Sequence, residues 1–444
     1  MSTRFGLGDR GVCIAQSTGS LIFHLCYPSC HNRFVKTLMP KHTWTFKARF
    51  RSREFGWKSS RLACQRLKEA VAEIKRLAKA DLITAADGVV ILMESIWPAL
   101  ESVDSSSGTL GAVVGWTLTE LLPIVIGAPA DRTTRDQWLT RLWQAIVEDG
   151  VDYLWLVQDR WGELCGSGEV ASRWADEFLP HLRATWSNPR PGNYVRETGM
   201  CLSSLLAAGR HKDLLDVLDL HRFPSWSNRK FGVQALLAED RVDEALAYAE
   251  ASRGLNQPDA AIDGACERIL LDADRETEAY EKYAMTASRS STGLATYHVV
   301  AKKYPARDPR RILLDLAESG GDPGHLFAAA KDAGFLDLAL RFAQTGRTDP
   351  RTLSRASCDL LEKDARFCLL VGRIAIQRIL EGYGYDLTGI DVVDAYGHFL
   401  TAAEKLGVTQ EARSDVFSMA TMSNQSVAPF ADILIRQCSP GPGR

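Results

Sequence analysis

The sequence predicts an all-α fold built as an α-solenoid of stacked helical hairpins, preceded by a short extended N-terminal arm. The first observation behind this is a recurring pattern. Leu205-Leu206-Ala207-Ala208-Gly209-Arg210 runs into Leu214-Leu215, and Leu236-Leu237-Ala238-Glu239-Asp240-Arg241 into Ala245-Leu246. Leu270-Leu271-Asp272-Ala273-Asp274-Arg275 runs into Ala279-Tyr280, and Ala329-Ala330-Lys331-Asp332-Ala333-Gly334 into Ala339-Leu340. The turns at Gly209, Asp240, Asp274 and Gly334 lie 31, 34 and 60 residues apart, the last step about two periods. A helix–turn–helix recurring near that period is the mark of stacked hairpins. The second observation is punctuation. Pro129, Gly150, Pro224, Pro258, Pro305, Pro323 and their like fall between helical periods. The third is the lack of any convincing run of strands after residue 60.

Taken in order, residues 1–38 are rich in Gly, Ser and Cys and show no helical period. They are expected to be a disordered extension or a mis-assigned start, with Met39 as the alternative first residue. Residues 39–60 form a basic aromatic arm. There Trp44, Phe46, Ala48 and Phe50 alternate with Thr45, Lys47, Arg49 and Arg51, a period of two that predicts an extended segment. Ser59 or Ser60 can cap a helix running to about Ala80. Residues 61–188 form a helical subdomain rich in tryptophan, since all eleven lie between Trp44 and Trp226. Residues 193–438 form the repeat region, after a boundary at Pro189 to Gly192, and 439–444 a flexible tail. Predicted helices include 82–100, 109–126, 151–163, 168–186, 211–219, 226–238, 274–288, 349–361 and 389–406. Asp308-Pro309 and Asp349-Pro350 place an N-cap before a proline at the first helical position. The architecture is therefore of the TPR or HEAT kind. Leu206, Leu237 and Ala339 are expected in the core where helices cross, and an exposed Leu237, or a strand anywhere in 195–345, would sink the solenoid reading.

Charge is uneven. Residues 41–79 hold twelve Lys and Arg against three Glu, while 80–444 carries 37 basic and 51 acidic side chains, a net of −14. A basic arm on an acidic body follows. No apolar run reaches the ~18 residues that span a bilayer. The candidate Leu118–Ile126 contains Glu120 and Pro123 and reads as a buried helix. No membrane partner is expected. Leu21–Tyr27 lacks a cleavage pattern, so a cytoplasmic location is expected. Cys64, Cys165, Cys201, Cys266, Cys358 and Cys368 sit singly in helical patterns and read as reduced, buried thiols.

Catalytic signatures are missing: no phosphate loop, no nucleophile elbow, no His-Glu-x-x-His. Cys26, Cys30 and His31, with His24, have soft metal ligands crowded together, and the reading favoured is an unstructured stretch. Asp391, Asp394 and His398 share one helix face by three- and seven-residue spacing. Such a set can bind a metal or move a proton, or it can be a solvated face whose acids suit the helix dipole. The loop before it holds Tyr383 and Tyr385 between glycines, either as a tight turn or an exposed aromatic contact. After Val103-Asp104-Ser105-Ser106-Ser107-Gly108, residues Gly111 and Gly115 read as a close helix-packing face, with an anion at the bare amides as the alternative. In the arm, Lys47, Arg49, Arg51, Arg53 and Lys58 interleave with aromatics. That mix suits single-stranded nucleic acid, or the aromatics pin the arm while the cations stay wet.

The arm from Lys41 to Trp57, the turn 103–108, Trp161-Gly162-Glu163-Leu164-Cys165, Ala301-Lys302-Lys303-Tyr304-Pro305 and Glu381-Gly382-Tyr383-Gly384-Tyr385 together resemble an uncharacterised bacterial family. It is predominantly helical and similar to the helical region of some SWIM-type zinc-finger proteins. The resemblance covers about 40–438. The Cys-x-Cys…Cys-x-His zinc pattern is absent, so the resemblance carries over no metal site and no cofactor. It implies a helical fold and a cytoplasmic bacterial protein. The function expected is a non-catalytic scaffold that binds a protein partner on its concave face. The alternative is association with nucleic acid through the basic segment 41–79, and the third a cryptic enzyme using Asp391, Asp394 and His398.

Overall fold

Helices succeed one another from Ser60 to Cys438, and no strand occurs among the described residues. The computed structural model describes residues 42–188, 194–222, 225–254, 259–423 and 427–438. The expectations for 1–38, with Cys26, Cys30 and His31, and for 439–444 lie outside them. The chain divides between Thr45 and Phe46. In the described part of the first unit the rings of His42 and Trp44 meet edge-on at 4.4 Å.

The second unit is a stack in which helices touch the next and the next but one. Thr198–Ala207 packs on both His211–Asp219 and Trp226–Ala238, and Pro350–Asp359 on both Ala365–Leu380 and Gly389–Leu406. Buried side chains follow the same order. One cluster runs from Val233 to Tyr283, the next from Tyr280 to Ala402, the last from Ile376 to Cys438. A core assembled from such short-range packing is what hairpin stacking produces.

The four recurring turns share one backbone geometry. Gly209, Asp240, Asp274 and Gly334 have φ of 69°, 60°, 56° and 85°. The following amide of Arg210, Arg241, Arg275 or Phe335 donates to the carbonyl five residues back, on Leu205, Leu236, Leu270 or Ala330, at 2.8–3.0 Å. This six-residue closure satisfies carbonyls that the helix end leaves open, and its left-handed residue favours Gly or, less often, Asp. Gly382 and Gly407 repeat it, with Tyr383 bonded to Arg378 and Val408 to Ala403. Arginine then ties the start of the next helix. Nε of Arg210, Arg241 and Arg275 donates to Asp213, Glu244 and Glu278, each three residues on, at 2.8–3.0 Å. Arg275 also reaches back to Asp243 at 2.6 Å, joining two hairpins.

Helix starts follow their caps. Asp81, Asp131, Ser167, Thr292, Asp349 and Asp364 each accept a backbone N–H at the N-cap position. Ser59 occupies the cap before Ser60–Ala78 without a side-chain bond. Two predicted helices are interrupted. The stretch 151–163 becomes Trp155–Asp159 and Trp161–Leu164, after a left-handed Asp152 with φ 60° and an Asp149 that accepts the Leu154 amide at 2.8 Å. The stretch 274–288 contains a π turn at Tyr280–Ala284, which aims Tyr280 at Asp315 with a 2.6 Å hydrogen bond.

The core expectation was misplaced by one residue at two turns. Leu237 is 36% exposed and Leu206 half-buried, while Leu205, Leu236 and Leu270 are buried, as is Ala339. The inward residue is the one whose carbonyl closes the turn. One position further on is a rotation of about 100°, which points the side chain outward. The exposed Leu237 does not undo the stack, because Leu236 fills the crossing. The tryptophan-rich front half packs by aromatic contact: Trp161 is fully buried, edge-on to Trp174 at 5.1 Å, and Trp174 stacks on Phe178 at 5.4 Å. Contacts continue past residues 189–193, since Gly162 donates its amide to Ser203 Oγ at 2.9 Å.

Two helices lie where the sequence placed them, 82–100 and 109–126 to within a residue, but they are more apolar over that length than the sequence reading allowed. Leu82–Leu100 and Thr109–Gly127 have 19 residues each and are long and apolar enough to cross a membrane by length and composition. Close packing at Gly111 and Gly115 is also overturned, because a Cβ on either would meet nothing within 4 Å. Close approach occurs elsewhere. A Cβ on Gly346 would lie 2.0 Å from the Gly324 amide nitrogen, and one on Gly293 2.3 Å from the His325 carbonyl. Three successive loops are thus stacked backbone on backbone. Gly111→Ala and Gly115→Ala should each stabilise the fold by about 0.5–1 kcal/mol, as helix interiors do when glycine is removed without a clash. Gly346→Ala should cost roughly 1–3 kcal/mol or more, because backbone must move. Urea melts of the three variants check the opposite signs.

Candidate functional site

The arm was predicted as extended, and it is not. Phe46–Arg49 forms a turn of 3-10 helix, and the Phe46 amide donates to Glu73 at 3.1 Å. Alternation nevertheless reports which rings go inward: Phe46, Phe50 and Phe55 are buried. Two of the five candidate cations are engaged. Arg49 pairs with Glu69 and Arg53 with Glu101, both at 2.6 Å. Arg53 has φ 59° and donates its amide to the Pro98 carbonyl at 2.8 Å. Lys47, Arg51 and Lys58 are exposed and make no ion pair among the described residues. Trp57, 66% exposed, is the arm aromatic left in water beside them.

The second cluster forms around the glycine–tyrosine loop. Gly382, Gly384 and Asp386 have φ of 80°, 112° and 51°, so the loop doubles back sharply. Tyr383 lies between two guanidinium groups, Arg347 at 5.5 Å and Arg378 at 5.6 Å from its ring centre. Arg378 in turn donates to the Ala343, Gln344 and Gly346 carbonyls, closing the end of Leu336–Thr345. Arg351 holds the other side. It donates to the Tyr385 carbonyl at 3.1 Å, to the Asp386 carbonyl at 2.6 Å, and through two nitrogens to Asp391 at 2.7 and 2.9 Å. Tyr385 itself is 87% exposed. A loop fixed at both ends therefore presents one bare aromatic ring.

Asp391, Asp394 and His398 do share a face. They line one wall of a groove of about 220 Å³, opposite Arg351, Ser354, Arg355 and Cys358 of Pro350–Asp359. Their roles differ. Asp391 is the third residue of a capping box and accepts the Thr388 amide at 2.7 Å. The Arg351 guanidinium, aided by Thr388, holds its carboxyl well below the usual carboxylate range. A carboxylate so stabilised is a weak base, and its bonds close the helix N-terminus. His398 Nδ1 lies 3.0 Å from Oγ of the buried Ser354. Asp394 is exposed at the rim. Among the described residues no group of three His, Cys, Asp or Glu is placed to hold a metal ion.

Sequence reasoning missed Arg351, Ser354, Arg355 and Cys358 as lining of this groove. They stand about forty residues from their partners, and only the packing of two hairpins joins them. Cys358 also departs from its expected burial. It is exposed, whereas Cys64, Cys165, Cys201, Cys266 and Cys368 are buried. Burial pushes the Cys165, Cys201 and Cys266 thiols up to about 12 and Cys368 up to about 11. A larger cavity, about 560 Å³, lies where loops 289–294, 319–325 and 348–352 meet. Its acids already serve as caps, Asp322 accepting from Gly324 and Asp349 from Thr352.

No family model, no curated protein and no solved structure matches this chain.

Arg351→Ala should lower stability at neutral pH, because it removes the hydrogen bonds to Asp391 and to the Tyr385 and Asp386 carbonyls. Because the folded Asp391 value is depressed, its contribution is complete above the unfolded value of about 3.9 and is lost as pH falls toward the folded one. The stability gap between wild type and variant should therefore narrow below about pH 4, which urea melts across pH will show. Maleimide labelling followed by peptide mapping should modify Cys358 far ahead of the buried cysteines, since it is accessible and burial pushes thiols such as Cys165 and Cys201 up.

Proposed function

We propose that this chain is a non-catalytic helical-repeat scaffold that binds a protein partner, and that the partner docks on the Tyr385 loop and the groove beside it. The observation that carries this reading is the exposed Tyr385 on a loop fixed by Arg351 and three left-handed residues. A rigid, bare tyrosine loses little freedom on binding, and such rings are frequent hot spots. The groove of about 220 Å³ is smaller than the ~300 Å³ at which ligand pockets usually begin, so it suits one side chain of a partner better than a whole cofactor. At its walls Arg355, Asp359 and Asp394 are exposed, which supplies charge of both signs for register. Asp391 is already committed to the helix cap and to Arg351.

Immobilised wild-type protein should retain a partner from an extract of the native host. Tyr385→Ala should weaken that retention by about thirtyfold, the equivalent of a hot spot of ~2 kcal/mol. Helix content should not change, because the ring is in water. Equal retention by wild type and the variant would remove the loop from the interface.

A further inference from the structure

The helix Ser60–Ala78 divides its polar surface in two. One edge faces the arm and is occupied: Glu69 takes Arg49 and Arg66, and Glu73 takes the Phe46 amide. The other edge carries Arg61, Lys68, Lys75 and Lys79, whose seven- and four-residue steps return to one side. Lys75 pairs with Glu120, so this edge borders the helix Thr109–Gly127. Arg61, Lys68 and Lys79 are exposed and make no ion pair among the described residues.

The bordering helix turns Leu110, Val114, Leu118, Leu121 and Val125 inward. Its outer face carries Ala112, Trp116, Thr119 and Pro123, all exposed, with Trp116 40% in water. The open space around the Cβ positions of Gly111 and Gly115 lies on the flank of this face. Although Thr109–Gly127 is long and apolar enough to cross a membrane, its inner side is fixed to neighbouring helices. It can lie along a surface but not span one. An uncovered apolar face with a tryptophan, edged by a row of unpaired cations, matches an interfacial surface: apolar groups at the acyl boundary, cations on anionic headgroups.

We propose that the Arg61, Lys68 and Lys79 edge and the Trp116 face together dock on an anionic lipid bilayer. A duplex would use the same cations and leave Trp116 in water, because its contacts are with phosphates, whereas a single strand would also stack bases on the ring. The test is sedimentation of the full-length protein with phosphatidylcholine vesicles, with and without phosphatidylglycerol, alongside retention on duplex and single-stranded DNA. Binding is expected only to vesicles containing phosphatidylglycerol, and it should weaken with salt. Lys68→Glu with Lys79→Glu should lower the bound fraction at least about tenfold. Trp116→Ser, and separately the exposed Ala112→Asp, should each release the protein while circular dichroism stays that of wild type. No binding to the anionic vesicles would overturn the proposal. So would binding that both face substitutions leave unchanged, or retention on duplex or single-stranded DNA that exceeds vesicle binding.

Discussion

A single left-handed residue at the end of a helix organises the stack. At Gly209, Asp240, Asp274, Gly334, Gly382 and Gly407 the chain reverses through the same six-residue closure. The constraint is steric: only a residue that tolerates positive φ lets the next amide reach back five positions. One of the six closures begins at the half-buried Arg378; the other five begin at an inward-facing position, which ties the turn to the side of the helix that enters the core. Leu205, Leu236, Leu270, Ala330 and Ala403 are all buried at that position. Turn and core are thus one decision, repeated.

Charge plays a second, subordinate part. Arg210, Arg241 and Arg275 each grip an acid one turn ahead, and Arg310 grips Asp337 across hairpins at 3.0 Å. Such partly exposed pairs contribute little stability one by one. Their value is register, since a hairpin rotated by one residue would break them. Deeper in the stack Glu267, nearly excluded from water, accepts from Lys303 at 2.6 Å and Tyr304 at 2.8 Å. That bonding is what makes its burial tolerable. The functional readings rest on exposed groups: Arg61, Lys68 and Lys79 beside Trp116, and the ring of Tyr385 beside its groove.

The sequence by itself determined where helices start, stop and turn. Caps such as Asp349-Pro350 and Thr388, and the turn residues from Gly209 to Gly334, act over four to six residues, so their effect is legible locally. It also placed Asp391, Asp394 and His398 on one face, because helical spacing is a local property. Tertiary structure decided the rest. Whether Leu236 or Leu237 meets the core depends on the neighbouring hairpin. The pairing of Asp391 depends on Arg351, forty residues away, and the exposure of Cys358 on how two hairpins leave a groove between them. The arm's alternation was real in burial but not in backbone, because the Phe46 amide found Glu73 on a helix twenty-seven residues on. Gly111 and Gly115 carried the composition of a packing face, yet no described helix covers it. Short-range bonding is written in the residues that make it. Long-range contact is chosen by the whole chain, since each surface buries only what its neighbours can cover.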